Sequence, residues 1–281
     1  MIIERFAPSP TGLLHLGHAF SALSAFEAAK SGDGRFLLRV EDIDQPRCKA
    51  AFVDAIFEDL SWLGIDWETP VLFQSIRLHA YQDAVSTLTE MGLTYRCRCS
   101  RKDISAALSA PQEGDLPTIG PDGVIYPGTC RERVDGSDAD SVRLDMRKAV
   151  ALIDWNDPPE FVEIGEDTKK LDANFLTQHC GDIVLARKDI GTSYHVAVVV
   201  DDAFQDVNHV TRGVDMAPAT AIHVLLQRLL GFSTPIYRHH RLIRDADGKR
   251  LAKRHDALAL RELRHQGWAP NDVRAAVMQS V

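Results

Sequence analysis

The sequence predicts an α/β fold in which helices cover a Rossmann-like parallel sheet. Strand-like and helix-like patterns alternate along the first part of the chain, which is the order that builds a parallel sheet. The apolar run RFLLRVEDID, residues 35–44, ends in acids, as buried parallel strands do when their carboxyl ends reach a site. A chain of 281 residues is long enough to bury a core in one large or two modest domains.

Each predicted element has its own pattern. MIIERFA predicts the first strand, and the run at residues 35–44 predicts the second. Two apolar runs within residues 181–202 lie a hairpin's distance apart, and the second of them, VAVVV before Asp201, predicts a buried strand. Helical spacing predicts helices at about His18 to Lys30, Ala50 to Leu63, Leu78 to Met91 and Pro218 to Leu230.

A change in composition divides the chain into segments. The stretch SAPQEGDLPTIGPDGVIYPGTC is rich in Pro and Gly, which indicates an insertion with its own small scaffold. We expect the first half of the Rossmann-like domain, the insertion, the second half of the domain, and a basic loop with a short helical C-terminal segment. Their bounds are 1–96, 97–180, 181–235 and 236–281.

Charge and apolar content narrow the class of protein. The net charge of −8 argues against non-specific nucleic-acid binding. Residues 237–255 nevertheless form a local basic stretch, which is either a solvated face or a contact for a particular RNA. MIIERF does not resemble a secretion signal, and no apolar run reaches the roughly 18 residues of a membrane helix. We therefore expect a cytoplasmic protein without disulfides among its 5 cysteines.

The stretch RFAPSPTGLLHLGHAF, residues 5–20, carries the first chemical signal. It joins a predicted strand to a predicted helix, and a helix N-terminus favours phosphates because its backbone N–H groups and partial positive charge point at the ligand. His15 and His18 are spaced to face one ligand across a single turn, and Gly17 lets it approach the backbone. We interpret the histidines as donors to phosphate; two ordinary histidines are the alternative.

A second signal lies in GKRLAKR, residues 248–254, inside the basic stretch. Lysines on flexible stems beside a nucleotide site can neutralise pyrophosphate as it leaves. By itself this pattern is weaker than the histidine pair.

Together these motifs resemble the class I aminoacyl-tRNA synthetases, which carry H-x-G-H near the N-terminus and a KMSKS-like loop late in the catalytic domain. RFAPSPTGLLHLGHA, RVEDID, AVVVDDAFQDVNHVTRGVD and DGKRLAK are similar to the glutamate branch and follow the same order from Arg5 to about Arg254. The resemblance implies a class I catalytic domain that activates glutamate with ATP and Mg²⁺. It also implies that His15, His18 and Lys253 are catalytic and that they hold ATP together with Gly17.

The resemblance extends to a short subgroup of that branch. Only 27 residues follow Arg254, too few for another domain of typical size. This is similar to the truncated glutamyl-queuosine tRNA(Asp) synthetases, which lack an anticodon-binding domain. Membership would imply transfer of glutamate to queuosine in the anticodon of tRNA(Asp), with the anticodon stem-loop as partner. We expect a monomer.

The insertion carries a candidate metal site. In a strand, Cys97 and Cys99 would lie on one face, and a turn at YPGTC could bring Tyr126 beside Cys130. Clustered thiolates in a reducing compartment indicate tetrahedral zinc, and the spacing matches the zinc site of the short subgroup. We expect one structural Zn²⁺ per chain. Three buried thiols are the alternative, and Cys180 or water could replace Tyr126 as the fourth ligand.

Matching residues to the motifs of the branch also assigns a glutamate site. Arg5 and Arg212 would each grip a carboxylate, because a guanidinium can do so through two hydrogen bonds. Glu41 would pair with the substrate ammonium, and Tyr194 matches the substrate tyrosine of the branch. The remaining members of the expected site come from the RFAPS element: Phe6, Ala7, Pro8 and Ser9.

Two departures and three alternatives remain. In the KMSKS-like loop, Arg250 replaces the first lysine and Ala252 replaces the serine, while Lys253 is kept, which indicates a tuned enzyme. A small nucleotidyltransferase with H-x-G-H would not show glutamate-dependent ATP–pyrophosphate exchange. A synthetase-like binding module would form no adenylate. A short conventional glutamyl-tRNA synthetase would charge the 3′ end of its tRNA.

Overall fold

The computed structural model describes residues 1–108, 119–243 and 258–279. The chain divides into two compact units. The first unit comprises Met1–Arg77, Asp206–Ala217 and Pro235–Val281, and the second comprises Leu78–Gln205 and Pro218–Thr234. Within the described ranges, no helix has the length and apolar content needed to cross a membrane.

The described residues form short strands and helices, joined by loops and single helical turns. The strands are β1 Ile3–Phe6, β2 Arg35–Val40, β3 Glu68–Phe73, β4 Thr94–Cys97, β5 Ile119–Gly120, β6 Gly123–Val124, β7 Ser141–Leu144, β8 Glu160–Phe161, β9 Lys169–Lys170, β10 Val184–Ala186, β11 His209–Gly213 and β12 Ile236–His240. The helices are α1 Leu16–Ser31, α2 Ala50–Trp62, α3 Leu78–Glu90, α4 Arg101–Leu108, α5 Met146–Ala151, α6 Tyr194–Phe204, α7 Thr220–Leu230, α8 Leu260–His265 and α9 Pro270–Gln279.

Parallel strands organise the first unit. β1, β2 and β3 pair in that order, and β11 pairs with β12, all in parallel. β11 runs alongside β1, where Asn208 N donates to Ile3 O at 3.2 Å and the Glu4 carboxylate accepts from the Thr211 hydroxyl at 2.6 Å. The carboxyl ends of these strands therefore lie along one edge, as the parallel-sheet prediction requires.

The two faces of this unit's strands differ in character. Glu4 pairs in register with Phe36, and Arg5 with Leu37, so that alternation sends Glu4 and Phe36 to one face and Arg5 and Leu37 to the other. Helix α1 packs on the Phe36 face, where Phe26 meets Phe36 edge-on at 5.3 Å between ring centroids. The hydrophobic core of the unit lies here, and the opposite face, the arginine face, carries Arg5 and Arg39 beside Leu37.

The second unit contains an antiparallel sheet in the order β10-β7-β4, together with α3, α6 and α7. Tyr81 of α3 donates to Asp201 of α6 at 2.7 Å, and both side chains are fully buried. This bond satisfies a carboxylate that would otherwise be costly to bury. It also ties the two helices together inside the unit.

Most of the predicted elements are confirmed, and one is wrong. The strands at MIIERFA and residues 35–44 and the four predicted helices are present, with ends shifted by up to a few residues. VAVVV is part of α6 rather than a strand. Every residue from His195 to Asp202 is buried, and a helix buried on all sides has the same continuous apolar pattern as a buried strand. The four-segment division remains a prediction.

Asp59 of α2 is a buried carboxyl whose two oxygens have no hydrogen-bond partner among the described residues. Burial raises the pKa of Asp59 to about 6, despite the opposing influence of Arg264 and Arg261. In the unfolded chain the group ionises near its ordinary value of 3.8. Between those values the unfolded state loses its proton first, so the stability of the fold falls as pH rises from about 4 to about 6.

We expect Asp59→Asn, which mimics the protonated carboxyl, to stabilise the first unit at pH 8 and not at pH 4. A shift of this size corresponds to about 3 kcal/mol in the free energy of unfolding between the two pH values. Denaturant titration followed by tryptophan fluorescence reports mainly this unit, since three of the 4 tryptophans, Trp62, Trp67 and Trp268, pack against its core. Asp54→Asn, at an exposed position of the same helix, is the matched control. Equal gains at both pH values would contradict the assignment.

Candidate functional site

The two histidines of the opening motif cap the N-terminus of α1. His15 is the N-cap residue, and its Nδ1 accepts from Gly17 N at 3.1 Å. His18 Nδ1 accepts in turn from His15 N at 3.2 Å, and the two rings lie 3.9 Å apart between centroids. Because each ring accepts a backbone N–H at Nδ1, its neutral form carries hydrogen on Nε2. The cap therefore sets both tautomers, making Nε2 the donor of each ring.

Gly17 serves this arrangement in a way the sequence did not reveal. A Cβ at this position would lie 3.0 Å from His15 Cε1 and 3.2 Å from His15 Nδ1, tighter than ordinary contacts. The glycine thus makes room for the ring that caps the helix. The expected role in letting a ligand approach stays a prediction.

The chain returns beside this motif after the KMSKS-like loop. Leu260 N donates to Leu14 O at 2.8 Å, and Ala259 forms an isolated antiparallel bridge with His15. Ile243, which precedes the loop, and Leu260, which follows it, belong to the same hydrophobic core. Lys253, with Arg250 and Ala252, lies outside the described residues.

Arg5 and Arg212 occupy neighbouring strands of the first unit and the same face. Thr211 bonds to Glu4, so alternation sends the next residue of β11, Arg212, to the face that carries Arg5. Both arginines are largely buried. Burial raises the pKa of Glu4 on the opposite face, while hydrogen bonds from Thr211 oppose that rise. The structure thus brings the two predicted carboxylate anchors to one surface.

Glu41 follows the end of β2 and has a partner that the sequence analysis missed. Its Oε1 lies 3.3 Å from Nη2 of Arg39, a side chain with no exposed surface. Its backbone N donates to Pro8 O at 3.1 Å, which ties it to the loop after β1. The missed signal was an arginine inside the apolar run RFLLRV, because a buried cation requires a counter-charge.

The remaining members of the RFAPS element differ in exposure. Phe6 is buried in the core of the first unit, and Pro8 is buried as well. Ala7 is half-buried and Ser9 is exposed, with Ser9 O accepting from Thr11 N at 2.8 Å in a tight turn. Phe6 is therefore a core residue, whereas the side chain of Ser9 is accessible, and their expected roles toward glutamate stay predictions.

Arg212 is held by a strand that the sequence analysis did not assign to the site. Its Nε donates to His239 Nε2 at 3.1 Å, and its guanidinium lies 5.1 Å from the ring centroid of Tyr237. Both partners belong to β12, which pairs with β11 in register. The sequence predicted the arginine from its motif, but nothing local in TRGVD points to a partner 27 residues later.

Tyr194 belongs to the second unit, at the first position of α6. Its ring meets His195 at 5.6 Å and His223 at 5.7 Å between centroids, in edge-on contacts. These two histidines are hydrogen-bonded at 3.0 Å, and His195 also bonds to Asp122 at 3.2 Å. The side chain is therefore packed by a polar cluster within its own unit, and its expected role toward glutamate stays a prediction.

The predicted metal ligands of the second unit converge. The sulfur atoms of Cys97, Cys99 and Cys130 all lie within 4.8 Å of one another. The Tyr126 hydroxyl lies 3.3 Å from the sulfur of Cys97 and 3.3 Å from that of Cys99, and it accepts from Cys130 N at 2.9 Å. This cluster could hold a metal ion. Cys180 is not a member of it, so it does not take the fourth position here.

The electrostatics of the cluster favour partial ionisation. Burial raises the pKa of the Cys99 thiol to about 11. Burial also acts on Cys130, but hydrogen bonds from Tyr126 and the Arg98 backbone outweigh it and lower the Cys130 pKa to about 7. The guanidinium of Arg143 lies 3.9 Å from the centre of the Tyr126 ring, where a cation is attracted. One thiol is therefore ready to ionise near neutral pH.

The described part of the basic stretch is engaged inside the first unit. Arg241 donates to Val277 O at 2.6 Å and lies 4.8 Å from the ring centroid of Phe20. Arg238 belongs to β12. The interpretation of residues 237–255 as a contact for RNA thus depends largely on residues outside the described ranges.

Comparison with known proteins identifies close relatives. Residues 1–280 match the family described as "tRNA synthetases class I (E and Q), catalytic domain". The chain is 49% identical to the glutamyl-Q tRNA(Asp) synthetase of Rhodobacter capsulatus, covering 98% of this chain and 99% of that protein. It is 38% identical to the protein of the same name from Geobacter sulfurreducens, covering 95% of this chain and 81% of that protein.

Solved structures give the same picture of the fold. A glutamate-tRNA synthetase from Elizabethkingia anophelis aligns with a TM-score of 0.71 at 27% identity over 90% of this chain. The chain spans about half, 52%, of that structure. A methionyl-tRNA synthetase from Mycobacterium tuberculosis aligns with a TM-score of 0.63 at 10% identity, which supports the fold alone.

Proposed function

This chain belongs to the class I tRNA synthetase catalytic-domain family for glutamate and glutamine, and from that premise we propose that it is a glutamyl-queuosine tRNA(Asp) synthetase. It activates L-glutamate with ATP and transfers the glutamyl group to queuosine in tRNA(Asp). The observation that carries this conclusion is the similarity to relatives of that name, which extends over nearly the whole of this chain and of the relative in Rhodobacter capsulatus.

The geometry supports the first half-reaction. An α-carboxylate oxygen of glutamate attacks the α-phosphorus of ATP, glutamyl adenylate forms, and pyrophosphate leaves. His15 and His18 would donate through Nε2 to phosphate oxygens, because the helix cap holds their Nδ1 atoms on backbone N–H groups. Lys253 would neutralise the departing pyrophosphate. Mg²⁺, which this class of enzyme requires, supplies further charge neutralisation when bound.

The amino-acid site would lie on the arginine face of the first unit. Arg5 and Arg212 would each hold one carboxylate of glutamate, and Glu41 would hold the ammonium. Arg39, 3.3 Å away at Nη2, supplies a counter-charge for the buried Glu41 carboxylate. Ser9 would contribute from the turn after β1.

The second half-reaction is what separates this proposal from a conventional glutamyl-tRNA synthetase. A nucleophile on the queuosine base attacks the carbonyl carbon of the adenylate, and AMP leaves with the bonding electrons. An unstacked loop base can enter a protein pocket, which makes the anticodon stem-loop a feasible partner. The names of the relatives favour this acceptor over the 3′ end.

The test of the proposal is the position at which the tRNA is labelled. tRNA(Asp) containing queuosine should accept radioactive glutamate even after removal of its 3′-terminal adenosine, whereas tRNA(Asp) lacking queuosine should remain unlabelled. Intact tRNA(Glu) serves as the comparison substrate. Loss of labelling on 3′ trimming, together with charging of tRNA(Glu), would instead support the conventional enzyme.

We further propose that the cysteine cluster of the second unit holds one structural Zn²⁺. A tetrahedral site with Zn–S bonds of about 2.3 Å keeps its sulfur ligands about 3.8 Å apart. The Cys99 and Cys130 sulfurs lie 3.5 Å apart, and the Tyr126 hydroxyl lies near two of the three thiols. The donor set thus fits three thiolates with Tyr126 in the fourth position, and the ion would cross-link β4 to the turn at Tyr126.

Metal content tests this site. We expect about one Zn²⁺ per purified chain and a large loss of it in Cys99→Ser, because removal of one thiolate opens a closed site. Cys48→Ser, in the first unit and outside the cluster, is the matched control and should retain the metal. Tyr126→Phe tests the fourth position, and Cys180→Ser, also outside the cluster, should retain the metal. Full zinc content in Cys99→Ser would contradict the assignment.

A further inference from the structure

Two side chains of β12, His239 and Tyr237, contact Arg212, the proposed carboxylate anchor. Arg212 and His239 are register partners across the parallel pair, so their side chains leave the strands on the same face. Arg212 Nε donates to His239 Nε2 at 3.1 Å. Since the imidazole accepts at Nε2, its neutral form carries hydrogen on Nδ1. The bond therefore needs the neutral ring in one particular tautomer.

Tyr237 completes the support. It lies two residues before His239 on the same strand, so it projects to the same face. The Tyr237 and His239 rings are parallel within 1°, with centroids 6.0 Å apart, and the guanidinium of Arg212 lies 5.1 Å from the Tyr237 centroid. Tyr237 is almost fully buried, so its ring provides a fixed surface under the guanidinium.

We propose that His239 is a positioning residue for glutamate activation, which sets the plane of the Arg212 guanidinium against the Tyr237 ring. This inference rests on the proposed function, because it gives Arg212 the task of holding a substrate carboxylate. His239 acts through Arg212 and touches no reacting atom. His239 therefore affects the affinity for glutamate rather than the rate of adenylyl transfer to it.

The physical reason is the geometry of the guanidinium. A bidentate grip on a carboxylate requires the plane of the fork to match the plane of the carboxylate. An arginine side chain has several rotatable bonds, and each must be held for that match to exist before the substrate binds. A hydrogen bond at Nε and a ring beneath the plane remove that freedom in advance, which is how preorganisation increases affinity.

The neighbouring histidine of the strand shows that this role is specific to one position. His240 projects to the opposite face, where its Nε2 bonds to Ser21 Oγ of α1 at 2.6 Å. Burial lowers the pKa of His240, and its ring packs edge-on against Phe20 at 4.8 Å. The two adjacent histidines therefore have different partners: His240 contacts α1, and His239 contacts Arg212.

The experiment compares glutamate and ATP kinetics in ATP–pyrophosphate exchange, or in tRNA-dependent AMP formation if exchange needs tRNA. We expect His239→Phe, which keeps a ring but removes the acceptor, to raise KM for glutamate about tenfold. The kcat and the KM for ATP should stay within about threefold of wild type, because the residues proposed to bind the ATP phosphates are unchanged. His239→Gln, whose Oε1 can accept from Arg212 Nε, should restore most of the affinity. His209→Phe on β11 is the matched control.

A double-mutant cycle tests whether His239 acts through Arg212. Arg212→Lys lacks the Nε donor, so His239→Phe should change KM for glutamate by less than about twofold in that background. Equal effects of His239→Phe in both backgrounds would overturn the proposal, as would an unchanged KM in the single variant. If His239→Phe does not fold, His239→Ala, which also removes the acceptor, supplies the same cycle with and without Arg212→Lys. A wild-type enzyme that forms no glutamyl adenylate would refute the proposed function instead.

Discussion

Replacing His18 with asparagine should lower kcat for glutamate-dependent adenylate formation about a hundredfold to a thousandfold, with KM for glutamate nearly unchanged. Donors aimed at charge that develops in a transition state contribute effects of this size. Asparagine keeps an acceptor oxygen near the position of Nδ1, so it can still cap His15 N, which His18 accepts at 3.2 Å. What asparagine loses is the donor at Nε2.

A series at the same position separates catalysis from capping. His18→Ala removes both the cap and the donor, and it should destabilise the protein by about 1 kcal/mol beyond the loss of rate. His18→Gln places an amide nitrogen near the position of Nε2 and should recover part of kcat. His15→Asn preserves the N-cap of α1 and should also lose kcat. If His18→Asn kept wild-type turnover, the histidine would be only a helix cap.

Replacing Arg212 with alanine should raise KM for glutamate at least thirtyfold, which corresponds to about 2 kcal/mol for a desolvated carboxylate left without its partner. ATP binding should persist, because His15 and His18, the residues proposed to contact its phosphates, lie at the N-terminus of α1 and not on β11. The measurement is glutamate-dependent adenylate formation together with direct ATP binding by calorimetry. Arg212→Lys keeps the charge but not the planar fork, and we expect it to recover only part of the affinity.

Arg35→Ala is the matched control for this loss. Arg35 begins β2 and forms an ion pair with Glu68 at 2.6 Å, with both side chains partly exposed. Exposed ion pairs contribute about 0–1 kcal/mol to stability. Arg35 has no expected role toward glutamate, so Arg35→Ala should leave KM for glutamate unchanged. Wild-type glutamate kinetics in Arg212→Ala would mean that this arginine holds the strand pair rather than the substrate.

The sequence determined the parallel fold and the order of the motifs because both are encoded locally. Alternating apolar runs and helical spacing predicted β1, α1 and β2, and the loop between the first two placed His15 and His18 at a helix N-terminus. Cys-x-Cys and the turn at YPGTC each predicted a local pair of donors, whereas the fold brings the two pairs together across about 30 residues. Short-range patterns suffice to predict an element when the spacing of residues along the chain determines which side chains share a face.

The tertiary structure decided whatever depends on burial and on contacts distant in sequence. Whether VAVVV is strand or helix could not be read locally, since both states bury every residue and the surrounding unit selects between them. The sequence likewise did not predict the partners of Glu41 and Arg212. The sequence analysis gave Arg39 no role, although it pairs with Glu41 in the fold, and His239 meets Arg212 only because β11 and β12 pair in register. A buried charge requires a partner, but which residue supplies it is decided by strand pairing and side-chain direction in the folded chain.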